Sequence, residues 1–511
     1  MSNFATKCLP FALLLVSACA QLPPRPELPD ATALAVGAES RLDEKVGAVE
    51  TQHPGASGFG LLSDGRAAFA ARAQTAHRAA RSLDVQTYIW HSDMTGRFLA
   101  QQLLDAADRG VRVRLLVDDM DARDKNYGYA ALDAHPNIEV RMFNPLASRS
   151  GTLAKIGDLL TSMKRLNHRM HNKSWIADNR VAFVGGRNLG DEYFGASDET
   201  NFVDLDFAMV GPVVRDVSAS FDRYWNSRAA YPVVTLSPEA VTAPALARLR
   251  VALASAVEET KHSAYAEQLQ RDDAIDRLVT GDWRLEWSSQ YHFVSDDPLK
   301  ALKDPGAGRS DVLSFLVPVM QAAEVGMTMI SPYFVPGKEG TTALVRGASS
   351  GRNIRVLTNS LAANDVAAVH GGYSKYRENL LRGGVQLWEL KPQPGLKTAS
   401  SLFGSSGAAL HTKALTVDDR QLFVGSYNLD PRSTSLNCEQ GVMVTNSELV
   451  KQFERIFATQ SSGSRAWAVT LKGNDLSWTD GTTTYDSDPM ASGFQRFQAW
   501  AVRILPVESQ L

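Results

Sequence analysis

The spacing His-x-Lys-x4-Asp occurs twice in this chain, at His171, Lys173 and Asp178 and again at His411, Lys413 and Asp418. Each copy runs on into the same frame, Phe183-Val184-Gly185-Gly186-Arg187-Asn188-Leu189 in the first and Phe423-Val424-Gly425-Ser426-Tyr427-Asn428-Leu429 in the second. One such spacing is weak, since roughly one His in a few hundred would show it at ordinary composition, and the chain has ten His. Two copies with one continuation are a duplication, and a chain so built folds as two like halves. A core duplicated for packing alone would show apolar periodicity, not His and Lys two residues apart. Two imidazoles, two ammonium groups and two carboxamides on repeated scaffolds point to one site, assembled across the halves, for a phosphodiester.

The pattern around each motif alternates strands with helices. In the first half, 83–90, 111–117, 138–143 and 207–210 read as strands, and 174–176 with 181–184 as a strand pair around Asp178-Asn179. Residues 97–109 read as a helix with Leu99, Leu103 and Ala107 on one face and Gly110 as its stop. The second half repeats the order with strands at 326–331, 353–358, 385–390, 413–417 and 421–424 and helices at 339–348 and 373–381. This is a layered α/β unit built twice. At 511 residues the chain is long enough for two or three domains, each burying its own core. The expected division is 1–18 signal peptide, 19–57 tether, 58–232 first lobe, 233–310 helical connection, 311–465 second lobe and 466–511 C-terminal extension. In that extension Phe494, Phe497, Trp500, Ala501 and Ile504 fall at helical spacing. Such a face either packs on the body or meets lipid.

At the N-terminus, Lys7 is the only charge before an apolar run from Leu9 to Val16 that closes in Val16-Ser17-Ala18-Cys19. The run is too short to span a bilayer and reads as a signal-peptide core. Its ending resembles a bacterial lipobox, which would make Cys19 the first mature residue, carrying lipid chains. Two or more chains anchor a protein stably where one is marginal. The expected location is the bacterial cell envelope, anchored on the periplasmic side. Ala20 stands where Asp retains lipoproteins at the inner membrane, which favours the outer one. The only other Cys are Cys8, removed with the signal, and Cys438, which is left without an intrachain partner. A disulfide framework and a Cys-rich zinc site are both excluded, and Cys438 reads as a buried structural thiol. A net charge of −3 gives no global drive toward nucleic acid.

Attack on a phosphodiester builds charge on the equatorial oxygens, so the site must present preorganised positive donors. Lys173 and Lys413 supply charge, and Asn188 and Asn428 supply amide N–H groups. One neutral imidazole attacks phosphorus and the other, protonated, protonates the departing alkoxide; imidazole suits both tasks because its pKa lies near working pH. A phosphohistidine then splits the reaction in two. No cofactor or metal is called for, since a zinc or magnesium site would want closely spaced carboxylates or more His. Each imidazole needs an acceptor on its other nitrogen; the expected pairs are Glu439 with His411 and Asp204 with His171. Asp178 and Asp418, at turns between strands, read as structural braces. His53, His77, His135, His262 and His292 read as surface residues. His168 and Arg169 lie in a basic run with Lys164, Arg165 and Lys173, either a second phosphate site or a solvated basic face. His91, at a strand end, and His370, with Tyr373 beside it, are substrate-pocket candidates. The Ser- and Gly-rich stretch 398–407 is either a lid or a solvated loop.

At the duplicated motif the chain resembles the phospholipase D superfamily. More narrowly it is similar to bacterial cardiolipin synthases, especially the C-type group. The supporting segments are Tyr88-Ile89-Trp90-His91, Thr358-Asn359-Ser360-Leu361-Ala362, Gly371-Gly372-Tyr373-Ser374-Lys375-Tyr376-Arg377 and Leu505-Pro506-Val507-Glu508. The resemblance implies two α/β/α sandwich lobes related by a pseudo-twofold, with one shared active site. It implies His171 as nucleophile and His411 as general acid and base. It further implies transfer of a phosphatidyl group from one phospholipid to phosphatidylglycerol, giving cardiolipin; the expected substrates are phosphatidylglycerol and, as a further candidate, phosphatidylethanolamine, with the donor left open. Synthases of the common type carry N-terminal transmembrane helices, where this chain has a lipobox. The motifs do not separate a transferase from a phospholipase D hydrolase, in which water is the acceptor. A nucleic-acid phosphodiesterase is disfavoured by the charge balance and the anchor, and a non-catalytic lipid-binding lipoprotein by two intact motifs.

Overall fold

The computed structural model describes residues 22–37, 40–122, 126–146, 167–270, 284–303, 310–364, 366–392 and 410–504. The signal segment, Cys19, Ala20, Lys164, Arg165, 398–407 and 505–508 therefore lie outside the described residues.

Each half is built on a mixed sheet. The first sheet runs, in spatial order, Ala230–Pro232, Ile138–Phe143, Arg112–Asp118, Ser82–Thr87, Ser174–Ala177, Val181–Gly185, Asp206–Val210, Ser57–Leu62 and Glu286–Ser288. The second runs Tyr291–Ser295, Gln440–Thr445, Gln421–Gly425, Ala414–Val417, Gly326–Ile330, Asn353–Asn359, Gln386–Leu390, Ala466–Lys472, Asp475–Thr479 and Thr484–Tyr485. Both share a plan. Three parallel strands (82–87, 112–118 and 138–143; 326–330, 353–359 and 386–390) lie beside an antiparallel run that begins with the motif hairpin. Strands of both parallel triads are largely buried and apolar, as sheets covered on two faces require.

Asp178 and Asp418 show why the motif needs its Asp. Both start the hairpin turn in the left-handed region, φ 52° and 54°, which Asp tolerates better than most residues. The Asp178 carboxylate accepts the backbone N–H groups of Ala80, Arg81 and Ser82 at 2.7–3.2 Å. Asp418 accepts those of Glu324, Val325 and Gly326 at 2.7–3.0 Å. Each thus locks its hairpin to the start of the first parallel strand of its own half.

Three apolar cores hold the layers. One lies inside the first half around Leu83, Leu103, Val113 and Phe183. Another lies inside the second around Val356, Leu387, Leu415 and Phe423. The third is shared: Val184, Phe207 and Phe221 cluster with Leu422, Val442 and Phe453, so the two sheets meet through the strands that follow the motifs.

Three segments depart from the expected division. Residues 22–37 do not hang as a tether but lie along the first half, with Arg25 Nε donating to Ala230 O at 2.7 Å and Asn179 Nδ2 donating to Leu34 O at 3.1 Å. Helix Arg41–Gln52 follows, with a capping box between Ser40 and Asp43. The connection is helical through Ala243–Lys261 and Ala264–Gln270, but its later part supplies an edge strand to each sheet, Glu286–Ser288 and Tyr291–Ser295. Residues 466–485 likewise continue the second sheet rather than extend away from it. Among the described residues no helix is long and apolar enough to cross a membrane.

Candidate active site

Each motif His stands just before a hairpin strand that runs antiparallel to the first parallel strand, with Ser174 opposite Gln86 and Ala414 opposite Ile330. Both imidazoles therefore lie beyond the carboxyl ends of the parallel strands, where α/β sheets place their sites. Four backbone hydrogen bonds then stitch the halves together. His171 N donates to Cys438 O at 2.9 Å and Cys438 N to Arg169 O at 2.8 Å. In the mirror arrangement His411 N and Thr412 N donate to Val203 O at 2.8 and 3.0 Å.

The residue after each of these partners is a carboxylate, and the carboxylates are exchanged between the halves. His171 Nδ1 lies 2.9 Å from Glu439 Oε2, and His411 Nδ1 lies 2.6 Å from Asp204 Oδ2. The expectation that Glu439 serves His411 and Asp204 serves His171 is therefore reversed. The reason is the crossing of the chains: a carboxylate beside its own motif in sequence is carried by the stitch onto the opposite imidazole.

Lys173 Nζ donates to His171 O at 2.6 Å and lies 5.3 Å from the Tyr88 ring centroid; Lys413 Nζ donates to His411 O at 2.6 Å. Asn188 Nδ2 donates to the Tyr193 hydroxyl at 2.9 Å and its Oδ1 accepts Ile89 N–H at 3.2 Å. Asn428 N donates to Ser433 Oγ at 3.2 Å, while its side-chain Oδ1 is buried with no hydrogen-bond partner among the described residues. The imidazoles are walled by rings: Tyr88 edge-on to His171, and Tyr193 edge-on and Phe202 stacked on His411, with centroids 5.3–5.4 Å apart.

The two carboxylates differ in their surroundings. Glu439 is fully buried, with Oε2 accepting from Ser426 Oγ at 2.5 Å and Oε1 from Ser433 Oγ at 2.9 Å. Burial favours its neutral form, but His171, Lys173 and Ser426 outweigh burial and hold the carboxyl below its usual range. Asp204 has no hydroxyl donor among the described residues and accepts one backbone N–H, from Leu205 at 2.8 Å. Burial, opposed by Lys413 and Arg187, pushes it up to about 7. Gly186 stands where the second copy has Ser426, and a Cβ there would run into Asp204 Oδ1. The site is also short of solvent: burial, offset partly by Glu439, drops His171 to about 4, and burial with Lys413 and Lys173 holds His411 well below its ordinary value. Lys173 is likewise held well below its ordinary value by burial.

Other candidates lie elsewhere. Arg169 is buried and paired with Asp118 at 3.2 Å rather than solvated, so it presents no open phosphate face. His91 Nδ1 is 3.0 Å from Glu192 Oε1, beside the bridge that joins Trp90 to Leu189. His370 and Tyr373 are buried in a network in which His370 Nε2 lies 3.3 Å from Asp488 and Arg377 bonds Glu389 and Asp488 at 2.9 Å each. Their partners are these groups and Phe334, not either imidazole, so the pocket expectation for them is not met. His135 is buried against Asp108 at 3.0 Å instead of lying at the surface. Cys438 is a buried free thiol, pushed up to about 12 by burial. Among the described residues two clusters have metal-ligating composition, His91 with Asp93 and Glu192, and His370 with Glu389 and Asp488. In the first, Asp93 is occupied as a helix cap to Gly96 and Asp191; in the second, Arg377 already supplies the cation. Tyr88, Tyr193, Phe202, Ser426 and Ser433 escaped the sequence reading. One signal was available: five residues beyond the motif Asn, both copies carry a hydroxyl, Tyr193 and Ser433, and each bonds that Asn.

Residues 73–225 and 316–460 match the family model described as cardiolipin synthase, PLD-like domain. The chain is similar to cardiolipin synthase C of Escherichia coli (strain K12), with 41% identity over 90% of this chain and 97% of that protein. An uncharacterized protein of Helicobacter pylori (strain ATCC 700392 / 26695) is 30% identical over 84% of this chain and 83% of its own length. Among solved structures, phosphatidylserine synthase of Haemophilus influenzae Rd KW20 superposes with a TM-score of 0.57 at 12% identity, over 91% of this chain and all of that one, a likeness of fold.

Proposed function

Because the chain belongs to the cardiolipin synthase family of phospholipase D-like proteins, we propose that it moves a phosphatidyl group, through a phosphohistidine, onto phosphatidylglycerol and so makes cardiolipin. The observation that carries this reading is the exchange of orienting carboxylates, which couples both motif imidazoles into one site.

The roles follow from the two carboxylates. Anionic Glu439 can only accept, so the proton on His171 sits on Nδ1 and the lone pair of Nε2 is available. That pair forms the N–P bond as the P–O bond to the donor headgroup breaks. Asp204, protonated below about 7, passes its proton to His411 Nδ1 as Nε2–H goes to the departing alkoxide, so that His411 ends neutral with a free Nε2 and Asp204 ends as a carboxylate that regains the proton in the second half-reaction. In the second half-reaction Nε2 of His411 takes the proton of the phosphatidylglycerol hydroxyl, whose oxygen bonds to phosphorus while the N–P electron pair returns to His171. The geometry of this chain thus supports His171 as nucleophile and His411 as acid and base. Lys173 and Lys413 balance charge on the phosphoryl oxygens. The buried orphan on Asn428, turned over as an amide, offers them an N–H, and Asn188 braces the opposite wall. No step calls on a metal.

Cys19 is proposed as the lipidated residue, holding the enzyme on the periplasmic side of the cell envelope, with Ala20 favouring the outer membrane. Labelled palmitate incorporated into the native chain and absent from Cys19→Ala supports that anchor. The function itself is tested by incubating the protein with labelled phosphatidylglycerol, with and without phosphatidylethanolamine. Cardiolipin is the expected product. Phosphatidic acid in its place means that water is the acceptor and the enzyme a hydrolase.

A further inference from the structure

Helix Gly493–Ile504 turns its large aromatics outward. Phe494, Phe497 and Trp500 are 61%, 60% and 56% exposed, and they recur every three residues, which sets them on one stripe. Among the described residues, every exposed Phe or Trp belongs to this helix. Met490, just before it, is also exposed.

The stripe is not half of an unfinished core, because the helix is already docked by another side. Gln495 and Ala499 are buried against helix Ala367–Arg382, and a Cβ on Gly371 would lie 2.6 Å from Ala499 O. Upstream, Asp488 is clamped by Arg377 at 2.9 Å and His370 at 3.3 Å. The stripe is therefore held in place, and its helix is tied to a segment that reaches the site. Gln495 Nε2 donates to Leu361 O at 3.4 Å, and Asn359, two residues back, bonds both N–H and carbonyl of Leu410 at 3.2 Å. Leu410 precedes His411. Two arginines, Arg496 and Arg503, are exposed on the helix, which has no acidic residue.

We propose that this helix docks the enzyme to an anionic phospholipid bilayer, with Phe494, Phe497 and Trp500 entering the interface and Arg496 and Arg503 meeting lipid phosphates. Aromatics with arginines on one amphipathic helix suit the boundary between acyl chains and headgroups. The hydrogen bonds through Leu361 and Asn359 tie this helix to the segment that carries Leu410 and His411, so a docked helix and the site belong to one connected part of the fold. The choice of a bilayer as partner rests on the phosphatidyl-transfer reading.

A lipidated Cys19 would by itself hold the full chain to vesicles, so the test needs a local readout. Tryptophan quenching by brominated lipids in phosphatidylglycerol vesicles is compared between the native protein, which has nine Trp, and Trp500→Phe. A triple variant, Phe494→Ser, Phe497→Ser and Trp500→Ser, is assayed on vesicles and on detergent-dispersed phosphatidylglycerol. We expect quenching that largely disappears with Trp500. We also expect turnover by the triple variant that drops at least about tenfold on vesicles and stays within about twofold in detergent. Undiminished quenching in Trp500→Phe, or full vesicle turnover by the triple variant, overturns the proposal. So does a native dimer in sedimentation that the triple variant dissociates, since the stripe would then be covered by a second copy. Should no phospholipid be turned over in any form, the transferase reading falls, and quenching alone decides the docking.

Discussion

The two orienting carboxylates invite the same substitution and should answer it differently. Asp204 has one oxygen accepting Leu205 N–H at 2.8 Å and the other 2.6 Å from His411 Nδ1. An Asn fits this in shape, its oxygen taking the backbone N–H and its amide N–H reaching Nδ1, but unlike the protonated carboxyl it has no proton to pass to the imidazole. We expect Asp204→Asn to lower kcat at pH 6 by roughly a thousandfold, within what general acid–base catalysis contributes, because the imidazole loses the proton that lets it act as the acid. Glu439 receives hydrogens from Ser426, Ser433 and His171 on its two oxygens. A Gln there must set an NH2 against one of these donors and loses the charge facing the imidazole. We expect Glu439→Gln to cost the charged hydrogen bond, about 1.5–3 kcal/mol, or roughly ten- to 150-fold in kcat. The pH profiles separate the two further. The carboxyl of Asp204, raised to about 7 by burial, keeps its proton below that pH and loses it above. Native kcat/KM should therefore fall through an alkaline limb near 7, and Asp204→Asn, whose amide cannot ionise, should lose that limb. Phosphatidylglycerol turnover followed by lipid chromatography from pH 4 to 9 reads both effects. Equal losses in the two variants, or an alkaline limb unchanged in Asp204→Asn, would refute the division of roles.

The acid limb of kcat/KM should lie near pH 4 rather than 6.5, because burial holds the free His171 imidazole at about 4, so it stays neutral and nucleophilic down to that pH; an inflection at 6.5 counts against this. His171→Ala and His411→Ala should each abolish most turnover with unchanged circular dichroism, and only a chain that retains His171 should form an acid-labile phosphoenzyme. Gly186→Ala drives a Cβ into Asp204 Oδ1 and should lower kcat by displacing that carboxylate, with little change in melting temperature. Asp178→Ala removes a buried acceptor of three consecutive backbone N–H groups and should cost about 2–4 kcal/mol in urea unfolding. Turnover should survive treatment with EDTA.

What the sequence could disclose depended on distance along the chain. The duplicated spacing is local, so the two hairpins and the residues they carry could be read directly. Asp178 and Asp418 could be assigned to turns because they sit between two apolar runs. The pairing of Glu439 and Asp204 is set through space by four backbone hydrogen bonds between halves, and no local pattern encodes which imidazole a carboxylate reaches. Residues 22–37 bind the first half mainly through backbone groups and Arg25, which leave no periodicity to detect. The strands Glu286–Ser288 and Tyr291–Ser295 are too short to stand out beside long helices. His370 resembled a pocket residue because its partner Asp488 is supplied from far along the chain.

The exchange of carboxylates also bears on why the motif is duplicated within one chain. In either half alone, His171 would lack Glu439, or His411 would lack Asp204, and each imidazole would lose the group that fixes its tautomer. The carbonyls that receive the His171 and His411 N–H groups, those of Cys438 and Val203, would be missing as well. A half could keep its own sheet and its inner core and still have no oriented imidazole. Docking of the halves through the shared core around Val184 and Val442 therefore builds the site. Once both halves lie in one chain, the two positions are free to diverge. Ser426 and Gly186 are one pair in which they have done so: a hydroxyl at one helps keep a carboxylate charged, while the glycine at the other lets the Asp204 carboxyl pack close without a hydroxyl donor, where burial keeps it protonated. A symmetric pair of motifs could hold a phosphate, but it takes this difference to give one imidazole a lone pair and the other a proton.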